Sequence, residues 1–261
     1  MQGLLYNREE LRERERMRDM NETTRRGLSA STLKIFAMAC MLLDHLWATV
    51  VPGNLWMTCI GRIAFPIFAF QVAEGYHKTR DLKAYAKRLF FWAIITEIPF
   101  NLMAGGSLLY PFHQNVLWTM LLGLWVIHSF EQLRLHPSPK RYMAVIGIVF
   151  AALLISIVGF VDYSAAGVLT VAAFGLLRGQ KTEKIGQVVA LWYVNCVMIK
   201  GQFIPIGDFE LQIQSFALLA LIPIWLYDGR KGLSSKGWKW FSYAFYPAHM
   251  LVIGLAARLL G

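Results

Sequence analysis

The chain has 261 residues, of which 56% are hydrophobic, 14% aromatic and 16% charged, and its formal net charge is +10 at pH 7. A soluble globular domain is about a quarter charged, so this composition excludes an ordinary soluble enzyme and indicates that lipid surrounds most of the chain. At about 20 apolar residues for each transmembrane helix, the length holds roughly eight to ten helices and no second large domain. We therefore expect an all-α, polytopic membrane helix bundle that forms a single domain over residues 31–261, preceded by a charged cytoplasmic arm over residues 1–30.

The apolar runs, taken in chain order, predict nine transmembrane helices. The predicted helices cover residues 32–51, 55–74, 84–104, 115–133, 141–160, 164–178, 186–200, 211–227 and 240–260. The sixth and seventh are short, so the pattern leaves open whether this region holds merged or additional segments. The sixth is rich in small residues, which suit close packing inside the bundle and also association between chains.

Most of the 26 lysines and arginines fall on one side of these nine helices. Besides the arm, they cluster in the segments 78–88, 134–141, 178–184 and 230–239. Because cytoplasmic loops of membrane proteins are enriched in Lys and Arg, the pattern predicts a cytoplasmic N-terminus and a C-terminus on the outer side. The net positive charge is then a signal of topology, and nucleic acid is not expected as a partner.

Neither a cleaved leader nor a metal site is expected. The basic arm precedes a full-length span without a small-residue cleavage site, which argues against a secretory signal. The three cysteines, Cys40, Cys59 and Cys196, lie inside apolar runs without a CxxC pair or a histidine at ligand spacing. This pattern predicts neither a disulfide framework nor a zinc site.

Ionisable side chains within the predicted helices are the candidate functional residues, because charge inside a bilayer is costly. Lys34 and His45 are eleven residues apart in the first helix, so they share one face and lie about 16 Å apart along its axis. This spacing predicts a cation at the cytoplasmic end and an imidazole deep in the bundle. Asp44 points about 100° away from His45, so we expect Asp44 to serve another helix.

The second and third predicted helices add further charges. Arg62 precedes Pro66, and Glu74 lies near the cytoplasmic end of the same helix. Glu97 and Asn101 are one turn apart in the third helix. An Arg62–Glu97 pair would lower the cost of burying both groups, and it would be either a structural ion pair or part of the chemistry.

Two further polar groups stand at or inside the predicted spans. His113, Gln114 and Asn115 lead into the fourth helix, where they are either capping groups or part of a site. His249 lies in the middle of the last helix, two residues after Pro247. A single histidine there is either a hydrogen-bonded core residue or a catalyst.

Several ordered stretches of the sequence resemble one family of bacterial membrane proteins, the TraX family. They are LKIFAMACMLLDHLW, GRIAFPIFAFQVAEGYHKTRDLKAYAKRL, EIPFN, QNVLWTMLLGL and KWFSYAFYPAH, within residues 28–130 and 238–252. The family is named for a pilin N-acetylase of conjugative plasmids and is similar to the type 3 membrane acyltransferases. The spacing from Lys34 to His45 is similar to the Arg-or-Lys to His spacing of those enzymes. The resemblance implies acyl transfer from cytoplasmic acetyl-CoA, with His45 as the catalytic imidazole.

The resemblance and the charges together suggest roles for the candidate residues. His45 would act as a general base or as a nucleophile. Arg62 or Asn115 would stabilise the oxyanion, and Glu97 would position Arg62 or the acceptor. The expected supporting residues are Asp44, Glu74, Asn101, Gln114 and His249. The cations expected to hold the CoA phosphates are Lys34 and those of the 78–88 and 230–239 loops, among them Arg80, Lys87 and Arg88.

The sequence leaves open both the acceptor of the acetyl group and the class of function. The acetyl group would pass to an amine or hydroxyl of a pilin-like protein or of a cell-surface glycan, from an enzyme in the bacterial cytoplasmic membrane. Buried charges on several helices also mark transporters. A third reading is a structural component of a surface-polymer or conjugation assembly, which would not need His45.

Overall fold

The computed structural model describes residues 27–260, so nearly all of the predicted arm lies outside the described residues. The helices and strands follow each other along the chain as one continuous series. They are α1 (Ala30–Thr49), α2 (Leu55–Gly61), α3 (Ala64–Lys78), α4 (Leu82–Gly105), α5 (Val116–Leu135), α6 (Pro139–Val158), α7 (Ser164–Leu177), α8 (Glu183–Trp192), a π-helical segment (Tyr193–Met198), β1 (Phe203–Ile206), β2 (Phe209–Gln212), a 3₁₀ segment (Ile213–Ala220), α9 (Leu221–Trp225) and α10 (Lys236–Leu260).

The described chain is an all-α bundle with one short antiparallel hairpin, β1–β2, inserted near its end. Each of the nine predicted segments overlaps one or two helical segments of the structure, with bounds that differ by a few residues. The eighth prediction begins two residues early, because residues 211–212 belong to the hairpin and the helical turn starts at Ile213.

The second predicted helix is broken into α2 and α3 at Arg62 and Ile63. Pro66 has no backbone N–H, so it cannot donate to the carbonyl of Arg62 one turn earlier. Pro66 therefore explains the break in the helix. The break places Arg62 at the joint between the two helical segments.

Apolar helices with exposed faces indicate that the protein is membrane-associated. Among the described residues, three helical stretches are long and apolar enough to cross a membrane: Leu55–Lys78, α5 and α6. Only 17% of the apolar window of α6 is buried, and its side chains Ile146 and Phe150 are 62% and 67% exposed. A soluble monomer rarely exposes so large an apolar face, so this face is suited to lipid.

The centre of the bundle is held by α7, which packs against α3, α5, α6 and α8. Gly175 of α7 lies so close to α5 that a Cβ there would be 2.6 Å from Cγ1 of Ile127. Gly123 of α5 faces Val171 in the same way. The small residues of the sixth predicted helix thus serve close packing inside the bundle.

We expect Gly175→Ala to destabilise the protein by about 1–3 kcal/mol, because the added methyl overpacks the α5–α7 contact. Gly147 in α6 is a matched control, since a Cβ there meets no atom within 4 Å. Gly147→Ala should be neutral or stabilising by about 0.5–1 kcal/mol, the usual gain for Gly→Ala in a helix. Thermal unfolding in detergent measures both. Equal effects of the two substitutions would contradict the packing described.

Candidate functional site

Three neighbouring cavities follow α1 through the described bundle. We name them by their position along α1. The inner cavity lies where α1 begins and has a volume of 390 Å³. The outer cavity lies where α1 ends and has a volume of 790 Å³. Between them is the middle cavity, of 140 Å³.

The three cavities have lining residues in common, so they lie next to each other in a row. Lys34 and Gln71 line both the inner and the middle cavity. Met41, Met120 and Tyr246 line both the middle and the outer cavity. The row therefore extends from the first turns of α1 to its last turns, with a narrow part between two wider ones.

The inner cavity is cationic. Lys34, Lys78, Lys231 and Lys239 line it, and the carboxylate among its lining residues is Glu74. Glu74 is already paired, since it forms a 2.9 Å ion pair with Lys78 and a further one with Arg178. The surplus of ammonium groups makes this cavity suited to an anionic group such as a phosphate.

Three of the four cations predicted to bind phosphate do not line the inner cavity. Lys87 and Arg88 belong to α4, which begins at Leu82, two residues before the predicted start of this helix. Arg80 and Lys87 are exposed, and the Arg88 guanidinium lies over the Tyr85 ring at 5.7 Å. Although all three are described residues, none lines the inner cavity, where Lys78, Lys231 and Lys239 accompany Lys34.

His45 lines the outer cavity and is hydrogen-bonded to His249, with 2.7 Å between His45 Nδ1 and His249 Nε2. His249 Nδ1 lies 2.7 Å from the carbonyl oxygen of Phe245. A carbonyl only accepts hydrogen bonds, so His249 Nδ1 carries the hydrogen, and Nε2 of neutral His249 is an acceptor. His45 Nδ1 then donates to it, which leaves the lone pair of neutral His45 on Nε2.

Arg62 pairs with Asp44 and not with Glu97, which corrects one expectation from the sequence. The Arg62 Nη2 to Asp44 Oδ1 distance is 3.2 Å. Thr58 completes the group, since its hydroxyl donates to Asp44 over 2.7 Å and accepts from Arg62 Nη2 over 2.8 Å. Gly61 permits this approach, because a Cβ there would lie 2.6 Å from Cγ of Asp44. Asp44 thus binds residues of the next helical segment, as expected from its direction on α1, about 100° away from His45.

Glu97 and Asn115 form a separate structural cluster. Asn115 is fully buried and caps α5, where its side chain accepts from the Leu117 N–H. Its amide nitrogen donates to Glu97 and, over 2.8 Å, to the carbonyl of Ala93. Trp118 Nε1 donates to Glu97 as well, over 2.6 Å. Both amide hydrogens of Asn115 are already used in this arrangement, so the predicted oxyanion role, which stays a prediction, would require these bonds to rearrange.

The other supporting residues predicted near these groups are also spread out. Asn101 is buried at 5% exposure on α4. Gln114 lies in the loop before α5, and its amide donates to the carbonyl of Pro111 over 3.0 Å. Both are described residues, and neither lines one of the three cavities. Of the predicted site, the structure brings together His45, Asp44 and Arg62, with His249 behind His45.

The sequence reasoning missed Asp162 and Tyr163, which line the outer cavity beside Arg62. Tyr163 contacts Arg62 and stacks on Phe65 with ring centroids 3.9 Å apart. It has a φ of 59°, unusual for a residue other than glycine. An acidic residue next to an aromatic one, directly before a span on the side poor in charges, was the available signal.

His113 also lines the outer cavity, from the loop between α4 and α5. Its Nε2 lies 3.4 Å from Oδ1 of Asp162. This hydrogen bond raises the pKa of His113 above its ordinary value, against a smaller opposing effect of burial. Protonation of His113 therefore strengthens its contact with Asp162, which is part of the wall of the outer cavity.

We expect this contact to stabilise the protein at acidic pH, because the folded state holds the proton more tightly than the unfolded state. The contribution is fully present below the ordinary pKa of histidine, about 6.5, and is lost as the pH rises through the raised value. Thermal unfolding between about pH 5 and 9 measures it. His113→Gln should remove this part of the pH dependence, and an unchanged profile would contradict the assignment.

Comparison with known proteins agrees with the resemblance seen in the sequence. A family model described as TraX protein matches residues 29–257. The chain is 25% identical over 245 residues to the probable fimbrial assembly protein FimC, serogroup H1, of Dichelobacter nodosus, and the match covers 89% of this chain and 97% of that protein. No solved structure matches the chain. Since the family model covers nearly the whole described chain, the protein belongs to the TraX family.

Proposed function

We propose that the protein is a multi-pass acetyltransferase of the bacterial cytoplasmic membrane. It transfers the acetyl group of cytoplasmic acetyl-CoA to an amine or hydroxyl on the outer side. The observation that carries this proposal is the row of three adjacent cavities, with a cationic pocket at one end of α1 and the His45–His249 pair near the other. Membership of the TraX family supports it.

The proposed topology has nine spans with the N-terminus in the cytoplasm. Three stretches meet the length and hydropathy expected of a span. The other predicted spans include α1, α4 and α10, which have 20, 24 and 25 residues. Their polar residues lower the hydropathy, and several of these line the cavities. Three lysines of the inner cavity, Lys78, Lys231 and Lys239, belong to the basic segments assigned to the cytoplasm, and Lys34 lies in the second turn of α1 beside them.

The inner cavity would hold the phosphates of the donor. Lys34, Lys231 and Lys239 are free of ion pairs to carboxylates among the described residues, so their charge is available to an anion. The donor thioester would then reach the outer cavity by the middle one. This route brings the thioester carbon toward Nε2 of His45 from the cytoplasmic side.

His45 would supply the chemistry by one of two balanced routes. As a general base, its Nε2 takes the proton of the acceptor while the acceptor attacks the thioester carbonyl; the C–S bond breaks, and the CoA thiolate takes that proton. As a nucleophile, its Nε2 attacks the same carbonyl, and the C–S bond breaks to release the thiolate; the acceptor then attacks the acetyl carbonyl, the bond from acetyl to imidazole breaks, and the proton of the acceptor passes by way of the freed Nε2 to the thiolate. Arg62 lines the same cavity and would stabilise the oxyanion in both routes.

His249 would act as a positioning residue. Its Nδ1–H is fixed by the carbonyl of Phe245, so its Nε2 fixes the hydrogen of His45 on Nδ1. The reacting nitrogen of His45 is thereby kept unprotonated and directed away from His249. Geometry of this kind keeps the base in one tautomer throughout the reaction.

A second candidate function is a non-catalytic part in assembling a surface polymer, which the name of the Dichelobacter nodosus relative favours. If this is the function, the residues that line the cavities contribute only to the stability of the fold. The acceptor of the proposed transfer would be a pilin-like protein or a surface glycan. The two functions differ in whether assembly in cells requires His45.

We expect His45→Ala to lower acetyl transfer by about 100-fold or more, because general acid–base catalysis is worth 10²–10⁴. The measurement is transfer of labelled acetyl from acetyl-CoA by the purified protein in detergent, with membrane lysate or an amine as acceptor. His136→Ala is a matched control, since His136 is an exposed residue at the end of α5. Wild-type activity of His45→Ala would exclude the catalytic role, and absence of acetyl-CoA binding by both proteins would exclude the enzyme.

We expect His249→Gln to retain a substantial share of activity, because the amide oxygen of Gln accepts a hydrogen bond from His45 Nδ1. His249→Leu removes the acceptor and should lower kcat at least tenfold while leaving the KM for acetyl-CoA nearly unchanged, since one lost hydrogen bond of about 1.4 kcal/mol corresponds to tenfold. The pH profile of kcat should also shift in His249→Leu. Equal activity of the two variants would contradict the positioning role.

A further inference from the structure

Gln71 stands at the entrance of the narrow middle cavity. It is a residue of α3 and lines both the inner and the middle cavity. Its amide nitrogen donates to the carbonyl of Ala30, at the start of α1, over 2.7 Å. This bond fixes the orientation of the side chain, so the amide oxygen points away from the carbonyl of Ala30.

The amide oxygen of Gln71 is buried and has no hydrogen-bond partner among the described residues. A buried acceptor without a donor costs about 1–3 kcal/mol. Buried polar groups are normally satisfied, so an exception beside a cavity points to a ligand that supplies the donor. The ligand that fits must bring an N–H or O–H group into a narrow apolar channel.

The dimensions limit what this ligand is. The middle cavity has 140 Å³, against 390 Å³ and 790 Å³ on either side. Its wall is largely apolar and includes Met38, Met41, Phe68 and Leu89. A nucleotide is too bulky for such a space, whereas a thin chain with isolated polar groups fits it.

The length along α1 agrees with one such chain. Lys34 and His45 are separated by about 16 Å along the helix axis. The pantetheine arm of a CoA thioester joins phosphate to sulfur through thirteen bonds, which in extended form span about 15 Å at the spacing of a peptide chain. This arm carries two secondary amides, each with one N–H donor.

We infer that the middle cavity is the binding subsite for the pantetheine arm of the acyl donor, and that the amide oxygen of Gln71 accepts a hydrogen bond from one of its two amide N–H groups. The inference rests on the proposed function and adds a residue that selects the donor. Gln71 distinguishes a CoA thioester from a thioester without amides. It also sets the depth at which the thioester stops, between the lysines and His45.

The test compares S-acetylpantetheine with two analogues in which one or the other amide N–H is replaced by oxygen. With the wild type, one of the two replacements should lower kcat/KM about tenfold, the effect of a lost hydrogen bond of about 1.4 kcal/mol. Gln71→Met keeps the length of the side chain without an acceptor, so it should use that analogue within about twofold of the amide donor. Gln180→Met is the matched control, since Gln180 also donates to a backbone carbonyl but lines none of the three cavities.

Gln71→Glu separates the acceptor from the anchoring bond to Ala30. It keeps an oxygen acceptor and loses the donor, so it should retain the preference for the amide donor even if its thermal stability falls. If Gln71→Met fails to fold, the wild type and Gln71→Glu still decide the question. No preference in the wild type, or an unchanged preference in Gln71→Met, would overturn the subsite.

Binding of pantetheine without an acyl group distinguishes this inference from the proposed function. Thermal unfolding should show that pantetheine stabilises the wild type and Gln180→Met but not Gln71→Met. Binding that depends on Gln71 without any acetyl transfer would support the subsite and overturn the transferase. Acetyl transfer that does not depend on Gln71 would support the transferase and overturn the subsite.

Discussion

The hydrogen bond from His249 to the carbonyl of Phe245 determines the chemistry available in the outer cavity. A carbonyl oxygen has no hydrogen to give, so it fixes the tautomer of His249 and, through it, the tautomer of His45. The two ring planes differ by only 3°, as expected for a hydrogen bond in the plane of both rings. A backbone group of α10 thus decides which nitrogen of α1 carries the free lone pair.

The same requirement, that buried polar groups find partners, explains the surroundings of this pair. Asp44 and Arg62 neutralise each other and share Thr58, so two charges are held inside an apolar bundle. Gly61 permits the close approach that this needs, and Pro66 produces the break that places Arg62 at a joint. One carboxylate oxygen of Glu97, Oε1, accepts from N–H donors at the start of α5, whereas Oε2 is buried without a partner among the described residues. Gln71 has an amide oxygen that no described residue satisfies, which is why it directs attention to a ligand.

The helices were predictable from the sequence because each apolar run is bounded by charges or turn residues. Lys34 and His45 were also predictable as a pair, since the spacing within one helix fixes their relative direction and distance. Pairing between helices was not predictable in this way. Nothing in the sequence around Arg62 distinguishes Asp44 from Glu97 as its partner, and nothing around His45 indicates His249. The sequence pattern also did not show that Arg80, Lys87 and Arg88 lie away from the inner cavity, because the face on which a cation lies depends on packing between helices. Gln71 has no neighbouring residue in the sequence that distinguishes it.

The central claim is that an acetyl group passes from one face of the bundle to the other through His45. The most direct measurement uses proteoliposomes with acetyl-labelled acetyl-CoA supplied outside, polylysine trapped inside as the amine acceptor, and the inner-cavity face of the protein turned outward. We expect labelled acetyl to accumulate on the polylysine inside the vesicles with the wild type and not with His45→Ala. Accumulation at the same rate with both proteins, or none with the wild type, would contradict it.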